Sequence, residues 1–271
     1  MGSPGPMNTL SDKNAAAAEL SRQSEVGGGE TPAWKWIAPL IAIMVVPLVM
    51  SRMGFEPDSG KEFPAGLPAG YDWKLLVVLA IQVLVVGGLL VAGVRDYLRW
   101  LPFRVSWSAI PLGLLGCGLW IGICELQIEK QVASAVGLGD WLAVRSSVNP
   151  FESFPSTATF VLFLSLRFTC LAVLVPIAEE LFLRGFLLRY LCRYEWWKVQ
   201  MAQLGWWAVG AAAIYGVVTH TGEILAAIAW FGLVTIWVKW SDRFWDAVAI
   251  HAVTNFALGL YVMTYQQWHY W

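Results

Sequence analysis

The chain has 271 residues, of which 58% are hydrophobic and 14% charged, with a formal net charge of −1 and a mean hydropathy of +0.58. A soluble domain carries about 45–50% apolar and about 25% charged residues, so this chain has too little charge to cover one water-soluble core. Disorder, collagen, coiled coil and a soluble Rossmann or TIM enzyme are excluded as the main architecture. No basic footprint for nucleic acid is present. The composition predicts an all-α, polytopic transmembrane helix bundle.

Residues 1–32 are rich in Gly, Ser, Ala, Glu and Pro and contain no aromatic residue. They read as a disordered polar tail ahead of a membrane helical domain over 33–271. The tail has no apolar core of the signal-peptide kind. Pro6 stands where a myristoylation site wants Ser or Thr, so none is expected.

From Trp34 onward, apolar runs alternate with short polar breaks. A crossing needs about 20 mostly apolar residues, and the candidates are 34–51, 73–94, 105–124, 157–178, 200–219, 224–240 and 245–264. The stretch 176–195 is a possible eighth, partly buried helix, giving about seven to eight helices. Trp34, Trp36, Trp73, Trp100, Trp107, Trp196, Trp197, Trp240, Trp245, Trp268 and Trp271 cluster at the ends of these runs, as an interfacial aromatic belt does. Segment 125–156 is too polar to span, and 125–145 fits an interfacial helix. Cys117, Cys124, Cys170 and Cys192 form no CxxC, so neither a disulfide framework nor a zinc ribbon is expected.

Basic residues set the expected orientation. With seven crossings and a cytoplasmic N-terminus, the inside segments hold twelve: Lys13, Arg22, Lys35, Arg95, Arg99, Arg104, Arg184, Arg189, Arg193, Lys198, Lys239 and Arg243. The outside segments hold five: Arg52, Lys61, Lys74, Lys130 and Arg145, with Arg167 left inside a span. The bias favours a cytoplasmic N-terminus.

Ionisable side chains are costly in lipid, so those in the C-terminal half need a reason. The first group is PIAEELFLRG, residues 176–185. Pro176 can open a helix, which places Glu179 and Glu180 near a favourable dipole end. Glu180 and Arg184 are spaced i, i+4 and can pair. Glu179 lies about 100° round the helix, without a partner on its own helix. One acid is held and the other left available. The competing interpretation is a juxtamembrane charge cluster. The second group is His220 in YGVVTHTG, which also suits a structural or interfacial histidine. The third is AIHAVTNFALG, where His251 and Asn255 share a helix face. They can donate to an oxyanion or glue two helices together. His269 reads as interface. Together a general base, a second imidazole and an oxyanion pair are the parts needed for water attack on a peptide carbonyl.

These motifs resemble the CAAX protease and bacteriocin-processing (CPBP, or Abi) family of intramembrane proteases. EELFLR, from Glu179 to Arg184, matches its EExxxR motif, and a later His and an HxxxN follow in order at His220 and His251–Asn255. The resemblance covers about residues 156–271. It departs from the family's FxxxH motif, since Gly216 stands at the Phe position, with Tyr215 just before it. The resemblance implies an endopeptidase of the CAAX prenyl protease type acting on a membrane-anchored protein or peptide. Glu179 would be the catalytic acid, His220 its partner in activating water, His251 and Asn255 the oxyanion pair, and Glu180 and Arg184 their support. It leaves glutamate-type and metal-dependent hydrolysis open. Any zinc would fall to Glu179, His220 and His251, although no HExxH helix is present. The N-terminal half and the ending GLYVMTYQQWHYW also resemble CAAX protease-related proteins found with bacterial exosortase and PEP-CTERM sorting systems. That resemblance implies a bacterial inner-membrane protein cleaving another membrane-anchored or C-terminal sorting segment.

The expected topology strains this chemistry. It puts Glu179 near the cytoplasmic end of one helix, His220 near the outer end of the next, and His251 about six residues into the last. Convergence then requires a re-entrant or further crossing at 176–195, tilted or broken helices over 200–240, or a misleading charge count. The other classes are a non-enzymatic scaffold or chaperone in secretion or bacteriocin immunity, and a proton-coupled transporter using Glu179, Glu180 and Arg167. The chain lacks the two-half symmetry of many transporters.

Overall fold

The computed structural model describes residues 31–55, 73–135, 137 and 149–270. Most of the expected tail and much of segment 125–156 lie outside the described residues. Every regular element among the described residues is helical. In chain order these are α1 (Trp34–Arg52), α2 (Trp73–Trp100), α3 (Ala109–Glu125), α4 (Ile128–Ala135), α5 (Pro150–Ser153), α6 (Thr157–Cys192), α7 (Trp207–Thr219), α8 (Ile224–Ser241) and α9 (Phe244–Tyr265). Five of them, α1, α2, α6, α8 and α9, are long and apolar enough to cross a membrane, and α3 and α7 are shorter apolar helices. The chain is a multi-pass membrane protein.

Two predicted helices are one. The stretches 157–178 and 176–195 form the single 36-residue α6, about 54 Å long at ~1.5 Å per residue. Pro176 therefore does not open a helix. It sits inside α6, where a missing N–H and a clash with the carbonyl four residues back would normally break the rod. The preceding turn, Cys170–Leu174, is π-helical, and a second π segment follows at Leu181–Leu187. These wide turns absorb the Pro and keep the axis continuous. Glu179 and Glu180 consequently lie mid-helix, away from any favourable dipole end, and must find their compensation in side chains.

The second revision concerns α7. It runs for 13 residues, about 20 Å, against a hydrocarbon core of about 30 Å. The predicted crossing at 200–219 starts late because Trp196–Lys198 and Met201–Gln203 are short 3-10 turns. His220 closes α7 with φ −130° and ψ 58°, and its N–H bonds Gly216 O at 2.9 Å. A tight turn then enters α8. Because α7 is short, His220 does not end on the far side from Glu179.

Close approach is set by small residues and clamps. A Cβ on Gly113 would lie 2.6 Å from Val253 Cβ and 2.9 Å from Ile250 O, so α3 meets α9 backbone to backbone. Such contacts suit membrane bundles, where no hydrophobic force separates helix from lipid. At the head of α9 the buried Asp246 carboxylate accepts from Ser106 N and Oγ, each at 2.7 Å, and from Trp237 Nε1 at 3.0 Å. It ties the α2–α3 loop to α8 and α9. The fully buried Trp36 of α1 packs edge-on against Tyr97 and Trp196, with ring centroids 5.0 Å apart in both pairs.

The Gly113 contact gives a direct test. Gly113→Val inserts a branched side chain where no space exists and should cost about 1–3 kcal/mol, seen as a lower thermal midpoint in detergent. Gly118→Ala on the same helix, where an added Cβ meets nothing within 4 Å, should not lower the midpoint, because Ala is the better helix former.

Candidate active site

Five side chains from three helices form the centre: Glu179, Glu180 and Arg184 of α6, Thr235 of α8 and His251 of α9. Glu180 and Arg184 of α6 are completely buried and ion-paired, as their i, i+4 spacing predicts. Arg184 does more than pair. Its Nη2 donates to Phe231 O at 3.0 Å and to Thr235 Oγ1 at 3.1 Å, so it also clasps α8. The second Glu180 oxygen, Oε1, meets His251 Nδ1 of α9 at 3.1 Å. The other ring nitrogen, His251 Nε2, lies 3.7 Å from Glu179 Oε2. His251 therefore bridges the two carboxylates, one tightly and one loosely. The loose separation exceeds hydrogen-bond length.

Glu179 is 5% exposed. The Tyr215 hydroxyl of α7 is buried beside its carboxylate without a hydrogen bond of good geometry. His220 presents its ring between aromatics, with Trp120 at 5.2 Å and Phe231 at 5.6 Å between centroids. Its Nδ1 is 2.9 Å from Thr219 Oγ1 and 3.3 Å from Gly216 O. Asn255 donates from Nδ2 to Leu171 O at 2.9 Å, a carbonyl inside the first π segment of α6. One of its two amide protons is thereby committed, and the other is left for a second acceptor.

Glu179, His220, His251 and Asn255 line one cavity of about 220 Å³. The sequence motifs thus converge, although a simple two-sided topology set Glu179 and His220 apart. The cavity also includes Trp120, Trp230 and Tyr270, which sequence reasoning passed over. The Trp230 ring stands edge-on to His251 at 4.6 Å, and its Nε1 donates to Thr254 Oγ1 at 3.2 Å. Thr254 Oγ1 in turn donates to Gly113 O at 2.9 Å. That chain fixes the imidazole plane through three helices. Tyr270 donates to Glu125 Oε1 at 2.9 Å, and burial with this carboxylate beside it pushes the phenol pKa up. Apolar runs conceal such residues, because a Trp or Thr on a spanning helix carries no signal until its neighbours are known.

The departure at Gly216 has a steric cause. A Cβ there would fall 2.5 Å from Phe231 Cδ2. The aromatic ring beside the histidine comes from α8 instead of from α7, and glycine makes room for it. Tyr215 packs on both Phe231 and Phe182, at 5.5 and 5.9 Å.

Zinc needs three or four N, O or S ligands at about 2.0–2.3 Å. Among the described residues, no three His, Cys, Asp or Glu side chains gather closely enough to hold a metal ion. Glu179, His220 and His251 as placed are not a ready ligand set, and His251 Nδ1 is engaged by Glu180.

Comparison with known proteins gives one match. Residues 160–257 match the family model described as type II CAAX prenyl endopeptidase Rce1-like. No curated protein and no solved structure matches the chain. The matched segment, residues 160–257 of 271, runs from α6 into α9 and includes the positions from Glu179 to Asn255, so over this part the chain is similar to type II CAAX prenyl endopeptidases.

Proposed function

We propose that the chain is an intramembrane endopeptidase that hydrolyses a peptide bond in a membrane-anchored protein, using water activated by Glu179 and His220. One observation carries this function: a single cavity of about 220 Å³ brings Glu179, His220, His251 and Asn255 together, and these four residues lie within the matched segment.

The chemistry follows from the partners of each group. Glu180 is occupied by Arg184 and His251, so Glu179 is the carboxylate available as general base. It takes a proton from water held between its carboxylate and the His220 ring. A Nδ1–H on His220, donating to Gly216 O and Thr219 Oγ1, leaves Nε2 to accept from that water. The hydroxide attacks the carbonyl carbon. The resulting oxyanion accepts from His251 Nε2–H and from the uncommitted Asn255 amide proton. Contacts to Glu180 on one side and Glu179 on the other hold the His251 ring in place for this role. Glu179 then returns its proton to the leaving amine. Tyr215, beside Glu179, steadies that carboxylate. No step passes through a metal. The residues leave the identity of the anchored substrate open, and a CAAX-type prenylated peptide is the first probe that the family match recommends.

Two outcomes are expected. In liposomes, with cleavage of a prenylated CAAX-type peptide followed by mass spectrometry of the released C-terminal fragment, Glu179→Gln should lower the rate at least ~10²–10⁴-fold. Asn255→Ala should lower it about 10²–10³-fold. Both variants should keep the parent thermal midpoint to within a few degrees. Full cleavage by Glu179→Gln would instead assign the cavity to binding, as in a scaffold. Separately, incubation with 1,10-phenanthroline followed by dialysis should leave the rate unchanged. Loss of activity that Zn²⁺ restores would move water activation to a metal.

A further inference from the structure

We propose that a second pocket, at the end of the bundle where α2, α6 and α8 finish and α9 begins, binds the phosphate of an anionic phospholipid headgroup. This pocket measures about 330 Å³. Five basic side chains line it (Arg99, Arg104, Arg189, Lys198 and Arg243), against one acid, Asp242. Asp242 accepts from Ala202 N at 2.9 Å, and Lys198 shares Glu195 with Arg193, which holds that carboxyl below its usual range.

Arg189 is the decisive member. It is 2% exposed, yet among the described residues no carboxylate lies within ion-pair distance of it. Its guanidinium donates to Val199 O at 2.7 Å, Trp197 O at 2.6 Å and Gly185 O at 3.0 Å. Carbonyls satisfy three of its five N–H donors and orient it, but they cancel no charge; Asp242 in the same wall opposes that charge only from beyond ion-pair distance and is itself engaged by Ala202 N. A buried cation in a pocket wall with two donors left over calls for an anion. Phosphate matches a guanidinium fork in shape and charge. Arg104 and Arg243 are exposed at the rim, where they can close on the same group. Four separate chain segments form the walls, so the pocket exists before any ligand arrives.

Location argues for a lipid over a free phosphate. The pocket lies at the ends of spanning helices, where Trp240, 78% exposed near the end of α8, stands two residues before the pocket's Asp242. Interfacial tryptophans mark headgroup depth, and basic pockets between spanning helices take anionic headgroups.

The test uses the full chain in nanodiscs of phosphatidylcholine with increasing phosphatidylglycerol, and in a second arm phosphatidylcholine discs with added sodium phosphate. Phosphatidylglycerol should raise the thermal midpoint. The double variant Arg104→Gln/Arg243→Gln, which lies outside the proposed catalytic groups, should need about thirty times more of it, the consequence of removing two interfacial charges. Stabilisation by phosphatidylglycerol alone supports the headgroup. Equal stabilisation by sodium phosphate, lost in the same double variant, overturns the lipid assignment in favour of a soluble phosphate. An unchanged response in the double variant, or an equal loss in Arg193→Gln, which is outside the pocket wall, shows general surface charge and overturns the site.

Discussion

A guanidinium and a carboxylate taken out of water must be matched to each other and to hydrogen bonds, because the low dielectric that strengthens their attraction also makes any unmatched charge costly. The Arg184–Glu180 pair meets that requirement inside a span. It then recruits two more helices to complete it: α8 through Phe231 O and Thr235 Oγ1, and α9 through His251 Nδ1. Apolar contacts in lipid give little reason for one helix arrangement over another. Polar satisfaction is directional, so this network fixes the rotation of α6 and the depth of α9 together. The remaining site geometry depends on it.

Once α6 is locked by Glu180, the position of its neighbour is no longer free. Glu179 is turned about 100° away, past the reach of Arg184 and toward the cavity, where His251 Nε2 stands 3.7 Å off. The π segments on either side let the long helix carry an inward polar stretch and a Pro without a break. They also leave Leu171 O to take Asn255. Anchoring, bending and positioning are thus one local arrangement. Its cost falls on a stretch whose apolar flanks are long enough to hold it in the bilayer.

Much of this was legible in the sequence. Hydropathy gives the spanning helices, and i, i+4 spacing gives the Glu180–Arg184 pair and the shared face of His251 and Asn255, whereas Trp36, Trp196 and Trp197, expected in an interfacial belt, are buried in the bundle. Helix ends were read poorly where Pro carried the signal. Pro176 reads as a start, and only the π turn before it shows why it is not one. The short α7 was read long because Val199, Met201 and Leu204 are apolar, yet they belong to 3-10 turns buried against the bundle. Periodicity cannot separate a buried loop from a span. Gly216 looked like a weakened motif for a related reason. The motif's ring is supplied by Phe231, fifteen positions later, and sequence order hides which helix fills a shared space.

The two buried arginines of α6 show how one helix can hold opposite electrostatic conditions one turn apart. Arg184 is neutralised by Glu180, so its neighbourhood is balanced before any substrate arrives, and a charge that develops at the cavity meets groups already in place. This preorganisation is what stabilises a transition state, since fixed dipoles need no rearrangement as charge appears. Arg189, five residues on, is held as firmly but by carbonyls alone. Three of its five N–H donors are met, and among the described residues no carboxylate stands within ion-pair distance of it. The first condition suits the proposed chemistry on a carbonyl, which must not trap an ion. The second attracts an anion and keeps it. The distinction lies only in whether a carboxylate stands four residues before the arginine: Glu180 precedes Arg184, and Gly185 precedes Arg189.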